Sequence, residues 1–320
     1  MEKNFLKRYK LDDKGYYNID HGYKIWRRVG FHDVYPVTIG DKCFYFKGNS
    51  PYGKKNDFKA IFNGSREFAS GDFYQISEIF YSKLAQKFGI HSVDYTLAKV
   101  GKKRGVISND FADMQSGESA DLETVLNDIG YMGTRNDLRY LHSVGLFDYC
   151  EGSVVDQFQV LSLFDYATNQ VDRNSSNVAL AKEQGKKYSK VIAFDYGVND
   201  LSIFFNMSDD KFKQKVSRGL ELSMGIEIPN SSSERYLFDV SNSRFIRSKN
   251  IAKFIKCLDK GLQNNNFISD IHHELVDEYA ITEKETLDKF ETRLSDVLNV
   301  NGEKLYKAYG ERSINKQLEF

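Results

Sequence analysis

The sequence predicts an α+β fold in two unequal parts: a small β-rich half with one main helix over residues 1–112, and a larger, mostly helical half over 113–320. Three observations carry this expectation. The first hundred residues hold short runs rich in aromatic and β-branched side chains around a single amphipathic stretch. Beyond residue 112 apolar side chains recur mostly at helical spacing. The length of 320 residues allows one large domain or two ordinary ones, since single cores stop growing at roughly 250–300 residues.

Taken in order, residues 24–29, 35–39 and 43–47 read as strands, and Gly40-Asp41 reads as the turn joining the last two. The lone Trp26 is expected in the core. From Gly71 the apolar residues Phe73, Ile76, Phe80, Leu84 and Phe88 fall at three- and four-residue steps, and Gly89 stands where a C-cap glycine belongs. Two further strands follow, 95–100 and 106–108, on either side of Gly101 to Gly105. Helical spacing then returns over 121–126, 139–149 and 154–167. Residues 178–194 hold two short strands around a turn, and the remainder, including 250–264, 268–280 and 283–298, reads as helices. Two lobes of this kind leave a cleft between them, where ligands commonly bind.

Composition narrows the function classes. Lys and Arg total 45 against 45 Asp and Glu, which removes the global basic footprint of a dedicated nucleic-acid binder. A mean hydropathy of −0.53, and no apolar run near ~20 residues, exclude a membrane-spanning helix. Cys43, Cys150 and Cys257 are far apart and form no C-x-x-C, so neither a disulfide framework nor a cysteine zinc site is expected. Residues 1–8 lack the apolar run of a secretory signal. The expected location is the cytoplasm, with export by a non-classical route left open.

The chemistry-bearing stretch runs from Leu161 to Gly197. A helix is expected to end near Asn169, and a loop carries Asp172 and Asn177. A strand from Val178 then turns through residues 183–187 into a second strand ending at Phe194. Asn177 immediately precedes the first strand and Asp195 immediately follows the second, so an antiparallel hairpin brings them together at its open end. An amide oxygen beside a carboxylate is the donor set required by a Mg²⁺ ion shared with nucleotide phosphates. Asp172, five residues before Asn177, then sits near the metal, where it can orient an incoming hydroxyl or accept its proton. A catalytic Asp, a metal Asn at D-x-x-x-x-N spacing and a metal Asp in D-x-G make up the phosphoryl-transfer template. Each fragment alone is an ordinary turn former. In this order, one hairpin apart, they point to a site.

With these residues in place, the stretch resembles the HipA-like serine/threonine kinases, a bacterial branch of the kinase fold related to phosphatidylinositol kinases. Their pattern of a helix, N-x-x-D-R-H-x-x-N and a later strand ending in D-x-G or D-x-x matches Asn169, Asp172, Arg173, Asn177 and Asp195. Asn174 stands where the family usually has His. The likeness is to the short members without the family's extra N-terminal subdomain, which include secreted proinflammatory kinases, and it covers residues 40–200. It implies a bilobal protein-kinase-like fold that uses ATP and Mg²⁺ to phosphorylate Ser or Thr hydroxyls of a protein, itself included. It implies Lys47 as the phosphate-contacting lysine at a strand end, with Glu78 as its partner. Without the resemblance, Lys47 is equally an edge-strand lysine and Glu78, off the apolar stripe, a solvated glutamate. Residues 107–111 resemble the link between lobes where backbone groups hold adenine, which places Asn109 and Phe111 beside the nucleotide. Gly15 and Gly22 are the candidates for the nucleotide-covering loop. Beyond a protein substrate, the implied partners are an antitoxin or a host target protein. Two alternatives stay open: a lipid or small-molecule kinase on the same fold, and a pseudokinase acting as a binding module.

Other signals carry less. Gly48 to Lys55 nearly matches a Walker A loop, yet Lys55 cannot ligate Mg²⁺ as Ser or Thr does, and no helical pattern opens behind it. His272 and His273 are adjacent, and neighbours on a helix point about 100° apart, so a surface helix is expected rather than a metal site. No G-x-S-x-G elbow and no A-P-E motif occur.

Overall fold

The computed structural model describes residues 6, 9–12, 16–26, 34–48, 71–109, 118–131, 138–170, 173–197, 207–218, 248–263, 266–279 and 284–305, with backbone only for 71–74, 215, 217, 218, 248, 262, 263, 266, 278, 279, 284 and 286. Phe111, Asp172, Gly15 and most of the near-Walker segment lie outside the described residues.

The first half is built on a six-stranded sheet of β1 (Tyr17–Ile19), β2 (Tyr23–Ile25), β3 (Val34–Ile39), β4 (Lys42–Gly48), β6 (Tyr95–Val100) and β7 (Lys103–Asn109), in the order β1-β6-β7-β4-β3-β2. All pairings are antiparallel except β1 with β6. Period-two alternation splits the sheet into two apolar faces. Val37, Ile39, Phe44, Phe46, Ala98, Val100 and Ile107 share one face and form a small core with Leu6 and Tyr9. Lys47 and Val106 are paired on the other face, with Leu97 beside them. That face receives helix α1 (Gly71–Lys87). As its spacing predicts, α1 buries Ile76, Phe80 and Leu84, with Phe88 just beyond it, and Gly89 ends it at φ +76°.

A second sheet, in the order β5-β10-β9-β8, joins the halves. The expected hairpin is there: β9 (Val178–Lys182) pairs antiparallel with β10 (Lys190–Ala193), from Val178 opposite Ala193 to Ala181 opposite Lys190. On its flanks lie β8 (Glu118–Asp121) and the two-residue β5 (His91–Ser92), which pairs parallel to β10 directly after α1. The helices that follow are α2 (Leu122–Asp128), α3 (Leu138–Ser143), α4 (Gly152–Ala167), α5 (Asp209–Arg218), α6 (Ser248–Gln263), α7 (Asn266–Tyr279) and α8 (Lys284–Leu305). Asp121 caps α2 by accepting from Thr124 N–H at 2.7 Å.

Two cores exist, but the border between them runs through the first sheet rather than between the halves. The large core is continuous from α1 and β6 through α4 to α6, α7 and α8. Phe80 meets Phe290 with ring centroids 4.7 Å apart, and Phe88 meets Phe254 at 4.9 Å. Among the described residues no helix is long and apolar enough to cross a membrane.

Two expectations fail here. Trp26 is 48% exposed, because β2 is the edge strand; its indole donates to Thr38 Oγ1 at 2.6 Å and Lys24 lies over its ring. His272 is buried rather than on the surface, held at 2.5 Å by Glu291 of α8, while His273 is exposed. Strands β1, β5 and β8 were not legible from local pattern.

Candidate active site

The Lys47 end of the first sheet and the open end of the β9–β10 hairpin face the same point. Lys47 Nζ donates to Glu78 Oε1 of α1 and, at 2.5 Å, to Asp195 Oδ1. Only 13% of the Lys47 and Asp195 side chains is exposed, and 1% of that of Glu78. The alternative of a solvated Glu78 is thus excluded by its burial. Burial opposes the charge on Lys47, but the Asp195 and Glu78 carboxylates outweigh it and hold its pKa well above the ordinary range. Burial pushes Glu78 up, against the pull of Lys47 and helped by the charge of Asp195. Among the described residues one ammonium bonds to both carboxylates.

The backbone at Asp195 is held in the left-handed region, φ +59°. Two residues on, Gly197 leaves the space that the cluster occupies: a Cβ there would sit 2.8 Å from Glu78 Oε1 and 3.4 Å from Lys47 Nζ. A side chain at this position would therefore press on the Lys47–Glu78 contact.

Asn177 lies at the hairpin's open end as expected, 6% exposed, with its carbonyl accepting from Phe194 N–H at 3.2 Å. Arg173 ties this end to α4. Its guanidinium meets Asp165 through Nε at 3.1 Å and donates from Nη1 to the Asn177 carbonyl at 2.8 Å and the Phe194 carbonyl at 2.5 Å. It also lies over the Tyr196 ring at 4.6 Å. Burial raises the Asp165 pKa to about 6, with Arg173 opposing the rise. Asn169 ends α4 in the left-handed region at φ +52°. Its N–H reaches the Tyr166 carbonyl and that of Gln170 reaches Asp165, the hydrogen-bond pattern of a Schellman cap. Asn301 of α8 donates to the Asn169 side chain at 2.7 Å, fixing the cap. Asn174 caps a short turn by accepting from Ser176 N–H at 2.9 Å, a local structural task.

Of the residues singled out by sequence, the fold brings Lys47, Glu78 and Asp195 into direct contact and bonds Asn177 to Phe194, the residue before Asp195. Asn109 ends β7 opposite Phe44, so it shares the face of Phe44 and not that of Lys47. Gly22 is at the wrong end of the sheet for a phosphate loop. It bonds to Gly40 at the β3–β4 turn, whereas Lys47 lies five strand residues away, about 17 Å. Sequence reasoning missed the parts played by Arg173, Asp165 and Tyr95. A lone carboxylate in the apolar run of α4, eight residues before an arginine, was the available signal for the first two.

Compared by sequence, the chain matches no protein-family model and no curated protein. Compared by structure, it is similar to the Helicobacter pylori proinflammatory kinase CtkA over 91% of this chain and 98% of that one, with a TM-score of 0.53 and 16% identity. A weaker likeness is to HipA in a toxin–antitoxin complex of Shewanella oneidensis MR-1 with HipB and operator DNA. Its TM-score is 0.38 at 14% identity, over 81% of this chain and 57% of that one. At such identities the likeness to CtkA concerns the fold alone: a β-rich lobe with one main helix and a mostly helical lobe.

Proposed function

We propose that this protein is a kinase that transfers the γ-phosphate of ATP, with Mg²⁺, to Ser or Thr hydroxyls of a protein. Residues 1–112 form the nucleotide-binding lobe and 113–320 the lobe that carries catalysis. The observation that supports this best is the buried contact of Lys47 with both Glu78 and Asp195, at the open end of a hairpin whose other strand begins after Asn177.

In this reading Lys47 contacts the nucleotide phosphates, and Glu78 keeps its ammonium charged and aimed. Asp172 accepts the proton of the substrate hydroxyl or orients it for in-line attack. Asn177 and Asp195 would hold Mg²⁺, since both offer hard oxygen donors. When bound, the ion supplies neutralisation of charge developing on the phosphates. Adenine is held by backbone groups after β7, near Asn109 and Phe111. The substrate is a target protein, and an antitoxin or host protein is the kind of partner that follows from the reading.

The test is phosphate incorporation from labelled ATP into protein, by wild type and by Asp172→Ala, followed by phosphoproteomics of cells expressing each. Transfer to Ser and Thr that falls by several orders of magnitude in the variant is the expected result. Wild-type activity surviving in Asp172→Ala would remove that residue's role. A wild type that transfers no phosphate to protein, lipid or small-molecule acceptors would leave a pseudokinase.

A further inference from the structure

We infer that Tyr95 and Gln170 are positioning residues that lock Asp195 in its left-handed conformation, so that its carboxylate is pre-set for the cation before any ligand arrives. This rests on the reading of Asp195 as a metal-holding residue. Among the described non-glycine residues only Asn169 and Asp195 have positive φ. The helix cap accounts for Asn169. Asp195 ends no helix, and a strained backbone of this kind persists only where its surroundings over-determine it.

Those surroundings are visible group by group. From Phe194 to Tyr196, every backbone N–H and C=O has a partner from elsewhere in the fold. Phe194 N–H bonds to the Asn177 carbonyl, and its carbonyl accepts from Arg173. Asp195 N–H donates to Tyr95 Oη at 3.1 Å, and its carbonyl accepts from Gln170 Nε2 at 3.3 Å. Tyr196 N–H donates to Glu78 Oε2 at 2.6 Å, and its carbonyl accepts from Ser77 Oγ at 3.5 Å. Two of these six contacts address Asp195 itself, and both come from side chains at positions that the motifs leave unspecified. Tyr95 opens β6 at 8% exposure, in the first half of the chain. Gln170 is fully buried directly after α4, its own N–H pinned to the Asp165 carbonyl at 2.8 Å, in the second half. Its amide nitrogen must face Asp195, because the amide oxygen would meet a carbonyl there. One side chain from each half thus grips one end of the Asp195 backbone, so its conformation reports that both halves are in place. A metal ligand held in this way depends on its outer partners, whose loss typically lowers metal affinity about 10- to 100-fold.

The experiment uses the full chain, wild type against Tyr95→Phe, Gln170→Ala and Gln170→Glu. It combines hydrogen exchange at the Asp195 amide with Mg²⁺ titrations of ATP-dependent phosphate transfer. Tyr95→Phe should keep the ring, lower the melting temperature by no more than a few degrees, speed exchange at Asp195 by tenfold or more, and raise the Mg²⁺ needed for half-maximal transfer at least tenfold, with turnover at saturating Mg²⁺ retained. Gln170→Ala should do the same in part, and Gln170→Glu more severely. An Asp195 amide equally protected in Tyr95→Phe overturns the proposal, as does an unchanged Mg²⁺ requirement beside a lowered melting temperature. A wild type that transfers no phosphate, yet shows the exchange difference, supports the clamp and refutes the kinase reading instead.

Discussion

Replacing Arg173 by Met should cost about 3–5 kcal/mol of stability, the penalty for leaving one partner of a buried ion pair alone. Asp165 is fully buried and Arg173 is 3% exposed, so neither charge can turn to water. The guanidinium contributes its two nitrogens on Asp165 and the donors to the Asn177 and Phe194 carbonyls. The Asn177 carbonyl keeps its bond from Phe194 N–H, so the uncompensated groups are the Asp165 carboxylate and the Phe194 carbonyl. In a chain of this size each kcal/mol is worth about 2 °C, which puts the fall in melting temperature at roughly 6–10 °C. The control is the double variant Asp165→Val with Arg173→Met, which removes both charges at similar volume. It should regain most of the loss and keep a deficit of about 1–3 kcal/mol for the orphaned Phe194 carbonyl. Urea and thermal melts at pH 7.5 measure both. A single variant losing under about 1 kcal/mol, or a double variant no better than the single, would refute the view that this pair staples the hairpin to α4.

Gly197→Ala drives a Cβ to 2.8 Å from a Glu78 oxygen, and Glu78 is pinned at its other oxygen by Tyr196 N–H. It should cost about 1–3 kcal/mol and lower phosphate transfer at least tenfold, and unchanged melting and turnover would dismiss the steric account. Asp165 gives a pH signature, since its native pKa is raised to about 6 from an ordinary 3.8. The folded chain then keeps a proton that the unfolded chain has released, so stability should fall as pH rises from about 4 to 6 and level off above. Asp165→Asn should flatten that segment, and parallel pH–stability curves for the two proteins would contradict the assignment. Asp195→Asn should lose much of the Mg²⁺-dependent part of the melting-temperature shift given by ATP, while Asp172→Asn keeps most of it. Equal shifts in both would break the metal assignment.

Sequence alone sufficed wherever a structure is decided by residues close along the chain. The spacing of Ile76, Phe80, Leu84 and Phe88, closed by Gly89, specifies α1. The turn between two short apolar runs specifies the β9–β10 hairpin, and with it the pairing of Asn177 with Phe194, one residue before Asp195, at the open end. What lies across from an element is another matter, because periodicity reports which face is apolar and not what covers the rest. From its place off the apolar stripe, Glu78 reads equally well as a solvated glutamate. It is buried because α1 is covered on one side by the sheet and on another by α7, to which Lys83 is tied through Glu274. Trp26 reads as core from its size, and only its edge strand leaves it exposed. Lys47 and Asp195 are 148 residues apart, and Tyr95 and Asp195 are 100. Those contacts follow from β5 pairing parallel to β10 directly after α1, through two residues too short to announce a strand. Long-range pairings of that kind are decided by packing the large core, in which no local preference takes part.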